Sequence, residues 1–299
     1  MPPASALFVN LAALFAVTVW GASPPMTKVA VASFDPVLVA VLRTVIGGIA
    51  AAPLVLFLRM SLPRDGIGIG LLLLASFCGY VGFPIVFSIG IGLTSAAHGA
   101  LALAILPLFT GLFAALVERR LPGRNWWIGT AIALLGEVCL ITFRSSSAAA
   151  GTTLAGDLIV LASATIASAG YVAGARLAQR GYSSWNTTFW GVVIAGLAMI
   201  MALPFAGAGQ AGAGQDWQAA PLSGWLAILY LAIGVTIVGY VAWYWALGAG
   251  GIARIGVFQF LQMPVGLIIA IVFLGEPLTL TLTLSAALIF VGVYVGQRK

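Results

Sequence analysis

The chain has 299 residues, 62% of them hydrophobic and 7% charged, with a mean hydropathy of +1.14 and a formal net charge of +6. Soluble domains carry about 25% charged residues, so the solvent for this much apolar surface is lipid, and no polar stretch is long enough for a separate soluble domain. The basic balance does not indicate nucleic acid, which requires a cationic face on a soluble surface.

Apolar runs predict ten helical spans, at 5–25, 36–58, 66–91, 95–117, 125–143, 156–175, 186–205, 222–247, 252–274 and 278–297. Each approaches the roughly 20 residues a hydrocarbon core requires. All are expected to be helices, because lipid offers no partner to an unpaired backbone group. The first stretch lacks the basic leader and small-residue cleavage site of a signal peptide, so it is expected to stay as a span. Pro24-Pro25 and Asp35-Pro36 mark its end and the start of the second. The connection 206–221 is rich in Gly, Ala and Gln and reads as a flexible exposed loop. Ten basic residues (Arg59, Arg64, Arg119, Arg120, Arg124, Arg176, Arg180, Arg254, Arg298, Lys299) fall on one side, against Lys28 and Arg144 on the other. By the positive-inside rule both termini are expected to be cytoplasmic.

The two halves echo each other. Trp20, Asp35 and Pro53 match Tyr171, Asn186 and Pro204 at an offset of 151, and Gly82, Phe83 and Pro107 match Gly239, Tyr240 and Pro264 at 157. A repeat with an odd number of spans inserts in opposite orientations. The expectation is an all-α polytopic membrane protein, residues 1–147 and 148–299 forming two inverted five-helix repeats around a central cavity.

Ionisable groups at membrane depth are costly and default to functional hypotheses. The spans offer Arg43, His98 and Glu137. Arg43 lies about two turns below the outer surface. It can clamp a substrate carboxylate, or pair structurally with Glu137 or with backbone carbonyls. Glu137 is a proton relay or a buried partner. His98 lines the outer vestibule, titrates near neutral pH, or packs at a helix start. Gln259 and Gln262 share one face of the ninth span, since they are three residues apart. Asn10, Trp20, Tyr80, Phe83, Ser168 and Tyr171 complete the candidate lining. Tyr80 also reads as ordinary packing, and Trp243 to Trp245 read as an interfacial aromatic belt. Pro84, Pro107 and Pro264 lie inside spans as candidate hinges. Gly47 and Gly48, and the stripe Ser163, Ala167, Gly170 and Gly174, are close-packing seams. Cys78 and Cys139 read as small packing residues. With one histidine and no phosphate-binding loop, no metal and no cofactor are expected.

Trp20-Gly21 at the end of the first span, Arg43 in the second, Pro107 followed by Glu118, and Pro264 followed by Gly275-Glu276-Pro277 resemble the drug/metabolite transporter superfamily, EamA type. Within it the chain is similar to bacterial amino-acid exporters of the YddG type. One departure is Val117-Glu118-Arg119, which lacks the glycine that precedes Glu276. The resemblance implies a basket of spans 1–4 and 6–9 with 5 and 10 outside. Relatives that carry sugar phosphates or nucleotide sugars need cationic side chains, and here Arg43 alone stands within the spans; small multidrug-resistance relatives hold cations with an acid in the first span, which here carries only Asn10. A near-neutral, aromatic and amide-lined cavity suits a neutral or aromatic amino acid or similar small metabolite, exported by alternating access. Export of drugs or other neutral metabolites is the alternative, and a membrane-embedded enzyme a remote one, since no nucleophile–base pair is visible. With no acid on a predicted cavity helix, facilitated efflux is the expected mode. The partners are a small-molecule substrate and the lipid bilayer.

Overall fold

The computed structural model describes residues 5–119, 123–143, 153–202, 220–251 and 255–297, and among these it is all-helical. Seven described helices are long and apolar enough to cross a membrane: α1 Ala6–Val31, α2 Pro36–Phe57, α3 Gly66–Gly92, α4 Ala96–Val117, α6 Leu154–Gln179, α7 Ser184–Met201 and α8 Leu222–Gly250. Three further helices are α5 Arg124–Thr142 and the shorter apolar α9 Phe258–Leu274 and α10 Leu280–Gln297. The loop expected at 206–221 lies outside the described residues except for its last two positions, as do Arg120, Arg144, Arg254, Arg298 and Lys299.

Local chemistry sets the helix starts. The Asp35 carboxylate accepts from the Val37 and Leu38 N–H groups, ahead of Pro36 in the first turn. Ser5, Asp65, Ser95 and Thr153 cap α1, α3, α4 and α6 through their side-chain oxygens. Each cap satisfies a donor that the helix leaves without a partner. Pro24-Pro25 does not end α1 as expected. The pair sits in the first turn of a second segment, Ser23–Val31, where a missing N–H costs nothing, and the helix continues to Val31.

Glycines set the closest approaches. A Cβ on Gly48 would lie 3.1 Å from Gly196 Cα, so α2 and α7 meet backbone to backbone. A Cβ on Gly170 would lie 3.0 Å from Gly79 N, bringing α6 against α3. The α5–α10 pair is closer still: Gly129 faces Gly292 and Gly296. This pair forms a smaller apolar cluster with α4 and α9 through Leu101, Leu140, Met263 and Ile289, while the main core lies among α1, α2, α3, α4, α6, α7 and α8.

The two ends differ in chemistry. At one, Arg180 pairs with Asp65 at 2.5 Å, the Tyr182 hydroxyl donates to Ser61 O at 2.6 Å, and Trp190 Nε1 donates to Met60 O at 3.0 Å. At the other, Lys28 Nζ donates to Ile91 O (3.1 Å) and Thr94 O (2.5 Å), and Thr153 N donates to Leu93 O at 2.9 Å. The last turn of α1 and the first of α6 therefore share an end.

Candidate functional site

Two helices at the centre of the main core depart from α geometry. Phe77–Gly82 in α3 and Tyr230–Gly239 in α8 are π-helical. π turns are rare, and they displace carbonyls from the regular ladder. A buried carbonyl requires a donor, and side chains supply one. Trp20 Nε1 donates to Val235 O at 3.0 Å, the Tyr240 hydroxyl to Gly79 O at 3.2 Å, Thr44 Oγ1 to Tyr80 O at 2.9 Å, and Thr236 Oγ1 to Leu231 O at 2.8 Å. These bonds gather aromatic rings from four helices at one point.

Trp20 stacks on Tyr171 with centroids 5.3 Å apart and meets Tyr240 edge-on at 5.0 Å and Trp243 at 5.4 Å. Tyr80 lies 4.6 Å from Tyr240, which also contacts Tyr244 at 5.6 Å. All six rings are buried. Beside them stands Arg43, only 1% exposed. Its Nη2 donates to Thr236 Oγ1 at 3.1 Å, and the Tyr171 and Tyr240 phenols are its electrostatic neighbours. Its Nε and Nη1 have no hydrogen-bond partner among the described residues. A buried cation held by one neutral hydroxyl is unfavourable alone.

The first turns of α9 approach the same point. A Cβ on Gly21 would lie 2.9 Å from Gln262 O. Gln259 and Gln262 are both buried, and both amide atoms of Gln259 and the Gln262 Oε1 lack described partners. The structure thus brings Trp20, Tyr80, Tyr171 and Arg43 together, with the Gln262 backbone adjoining Gly21. Other candidates make different contacts. Asn10 is half-buried, ten residues before Trp20 and so about 15 Å along α1. Phe83 stacks on Phe87 at 5.1 Å. The Ser168 hydroxyl donates to Leu106 O at 3.1 Å and accepts from Thr110, tying α6 to α4. His98 sits at the Lys28 end, where Nδ1 lies 3.4 Å from Asp157 Oδ2. Asp157 is fourteen residues before Tyr171, about 21 Å along α6. The Glu137 side chain lies outside the described residues; the described partner of Arg43 is Thr236.

Two sequence readings are corrected. Trp243 is fully buried in the cluster and is not part of an interfacial belt, whereas Trp245 is 36% exposed. An acid does lie on a core helix: Asp157 is 1% exposed. Thr236, Tyr240 and Tyr244 were absent from the expected lining. The available signal for Tyr240 was its match to Phe83 across the two halves.

A separate cleft of about 560 Å³ opens between α3, α4 and α6 towards the Arg180 end. Its walls are apolar, including Ile67, Leu71, Phe113 and Val172, with Arg176 and Arg180 at its rim.

The EamA-like transporter family matches this chain twice, over residues 7–142 and 154–296. An uncharacterised transporter of Bacillus subtilis, YdeK, is 31% identical over 262 residues, covering 87% of this chain and 86% of the relative. A probable amino-acid metabolite efflux pump of Salmonella typhimurium is 28% identical over 289 residues, covering 95% and 93%. A solved crystal structure shares the fold with a TM-score of 0.71 at 20% identity, covering 98% of this chain and 97% of the other. The chain is a multi-pass membrane protein and belongs to the EamA-like transporter family.

Proposed function

We propose that this chain is a secondary transporter that exports neutral or aromatic amino acids and similar small metabolites by alternating access. The observation that carries this reading is Arg43, buried beside Thr236, Tyr171 and Tyr240, with no described partner for its Nε and Nη1 donors. A carboxylate completes that site through charge-assisted hydrogen bonds. The aromatic faces accept an apolar or aromatic side chain and can attract an ammonium group. The Gln259 and Gln262 amides offer further polar contacts. The name of the Salmonella relative supports the same substrate class.

Two inverted five-helix repeats, residues 1–147 and 148–299, are part of the proposal. The two family matches support it. So do the helix irregularities: π turns begin at Phe77 and Tyr230, and 3-10 turns at Leu103 and Val257, giving offsets of 153 and 154. We assign the Arg180–Asp65 end to the cytoplasm of a bacterial inner membrane, with both termini inside. A cysteine at Leu278, which is 60% exposed, then reacts with an impermeant thiol reagent in intact cells; labelling only after lysis reverses the orientation.

The test of function is flux in proteoliposomes with a panel of labelled amino acids, with and without a pH gradient. Saturable counterflow of neutral or aromatic amino acids is expected. The second reading, export of drugs or other amphipathic neutral metabolites, draws on the apolar cleft between α3, α4 and α6, which gives such molecules a path from the cytoplasmic leaflet. Broad dye flux without saturable amino-acid counterflow selects it.

A further inference from the structure

The end of the bundle opposite Arg180 gathers ionisable groups that the substrate site does not use. Asp157 Oδ1 accepts from Thr94 Oγ1 at 2.5 Å, and Oδ2 faces His98 Nδ1 at 3.4 Å. Asp157 is 1% exposed and His98 8%. Lys28 Nζ donates to the Ile91 and Thr94 carbonyls. Both Glu276 oxygens accept from the first N–H groups of α4, Ala96 N at 2.7 Å and Ala97 N at 2.9 Å. Among the described residues the charged groups at this end are Lys28 from α1, Asp35 at the start of α2, where it caps Val37 and Leu38, Asp157 from α6 and Glu276 from the segment between α9 and α10. The α3–α4 turn contributes carbonyls and the Thr94 hydroxyl. Helices α5 and α10, on the other side of α4, bring no described charged side chain to this end.

These groups differ in what they can do. Lys28 and Glu276 are bonded to backbone groups, and their charges brace one turn. The His98–Asp157 contact joins two side chains on two helices at the outer limit of hydrogen-bond distance, and its strength depends on the imidazole proton. Neutral imidazole gives one weak bond to the carboxylate. Imidazolium gives a charge pair in a poorly hydrated place, where such attraction is strongest. Histidine changes charge between about pH 5 and pH 8.

We propose that His98 and Asp157 form a proton-operated latch between α4 and α6, closing this end when His98 takes up a proton from the adjoining aqueous side. The proposal rests on the transporter reading above. The proton enters and leaves by the same side, since the pair stands about 21 Å along α6 from Tyr171. It therefore sets how long the outer end stays shut and supplies no driving force. A proton shifts the equilibrium only by its differential affinity for the closed and open forms.

Two measurements test this. In proteoliposomes with the interior held near neutral pH, lowering the external pH from about 8 to about 5 slows counterflow by roughly 5-fold or more; changing the internal pH does not. His98→Gln flattens the external dependence, and Asp157→Asn does the same. The second measurement needs no substrate. Spin labels at cysteines replacing Leu154 and Leu278, both exposed at this end, report a shorter and narrower distance at acid pH, and His98→Gln abolishes the change. An unaltered external-pH response in His98→Gln overturns the latch. So does uphill accumulation driven by a pH gradient that His98→Gln abolishes, which makes the pair a coupling site instead. Absent counterflow of every amino acid with a pH-dependent label distance sinks the amino-acid reading and leaves the latch standing.

Discussion

Replacing Arg43 by Met separates the substrate role of this residue from a structural one, because the two roles predict opposite effects on stability. Met is neutral, flexible and comparable in length. The change removes the Arg43 Nη2 bond to Thr236, which at 3.1 Å is a hydrogen bond from a charged donor. Such bonds contribute about 1.5 to 3 kcal/mol. It also relieves the burial of a cation that is 1% exposed and has no carboxylate beside it among the described residues; the effective penalty for a buried ion is several kcal/mol. Thr236 keeps its bond to Leu231 O at 2.8 Å, so no new orphan hydroxyl forms. The balance favours the variant by about 1 kcal/mol or more, an increase of a few degrees in melting temperature. Substrate binding moves the other way. Loss of one charge-assisted contact to a carboxylate, again about 1.5 to 3 kcal/mol, weakens binding about 10- to 150-fold.

The assay is paired: thermal unfolding in detergent followed by tryptophan fluorescence, and the concentration dependence of amino-acid counterflow. Arg43→Lys keeps the charge but loses the planar donor set, and is expected to fall between wild type and Met in affinity. A melting temperature that drops together with transport shows that Arg43 is structural, held by partners such as Glu137. An unchanged half-saturation concentration in Arg43→Met refutes the carboxylate clamp outright.

Gly48→Leu places a side chain where a Cβ already lies 3.1 Å from Gly196 Cα, so it should cost about 1 to 3 kcal/mol by overpacking, read as a lowered melting temperature; an unchanged value means α2 and α7 can separate freely. Gln262→Leu removes a buried amide whose Oε1 has no described partner, so flux should fall several-fold at normal expression and stability, and normal flux counts against a wet face on α9. Glu137→Gln should leave counterflow and downhill flux intact, because acid and amide are nearly isosteric; loss of gradient-driven transport with exchange retained would make Glu137 the proton carrier.

How far the site was legible depends on what each residue needs from its surroundings. Trp20 and Tyr171, matched in sequence at an offset of 151, stack in the structure, so a match in sequence marked a meeting in space. Arg43 stood out because a charge in an apolar run is costly wherever it points. Trp243 was misplaced for a geometric reason. The α8 helix runs on to Gly250, three residues past the predicted end at 247, so Trp243 stands seven residues from its end, and its ring packs against Trp20 and Tyr171. Asp157 lies at the second position of the predicted span 156–175, where an acid can equally face water, and its contacts with Thr94 and His98 show it to be buried. The Thr236 contact arises from a π turn, and period-3.6 reasoning has no means of anticipating an i to i+5 register.

The same irregular turns change what the prolines mean. Read from sequence, Pro84, Pro107 and Pro264 each weaken a helix at mid-depth. In the structure each follows directly on a change of helix type: Pro84 after the π turn ending at Gly82, Pro107 after the 3-10 turn Leu103–Ile105, and Pro264 after the 3-10 turn Val257–Leu261. Each sits in the opening turn of a fresh α segment, and the residue that opens each segment donates its N–H back into the irregular turn: Phe83 to Cys78 O, Leu106 to Leu103 O and Gln262 to Gln259 O. The prolines therefore stand where the helix type changes, and each lacks the N–H that would continue a regular ladder there. In α8 no proline is present; the π turn ends at Gly239, whose Cβ would lie 2.3 Å from Trp20 Nε1. There the Trp20 indole N–H supplies a donor to Val235 O, a carbonyl of the π turn. A transporter whose substrate displaces Trp20 would release that carbonyl and let α8 rewind, which ties occupancy of the aromatic site to the shape of a helix that spans the membrane.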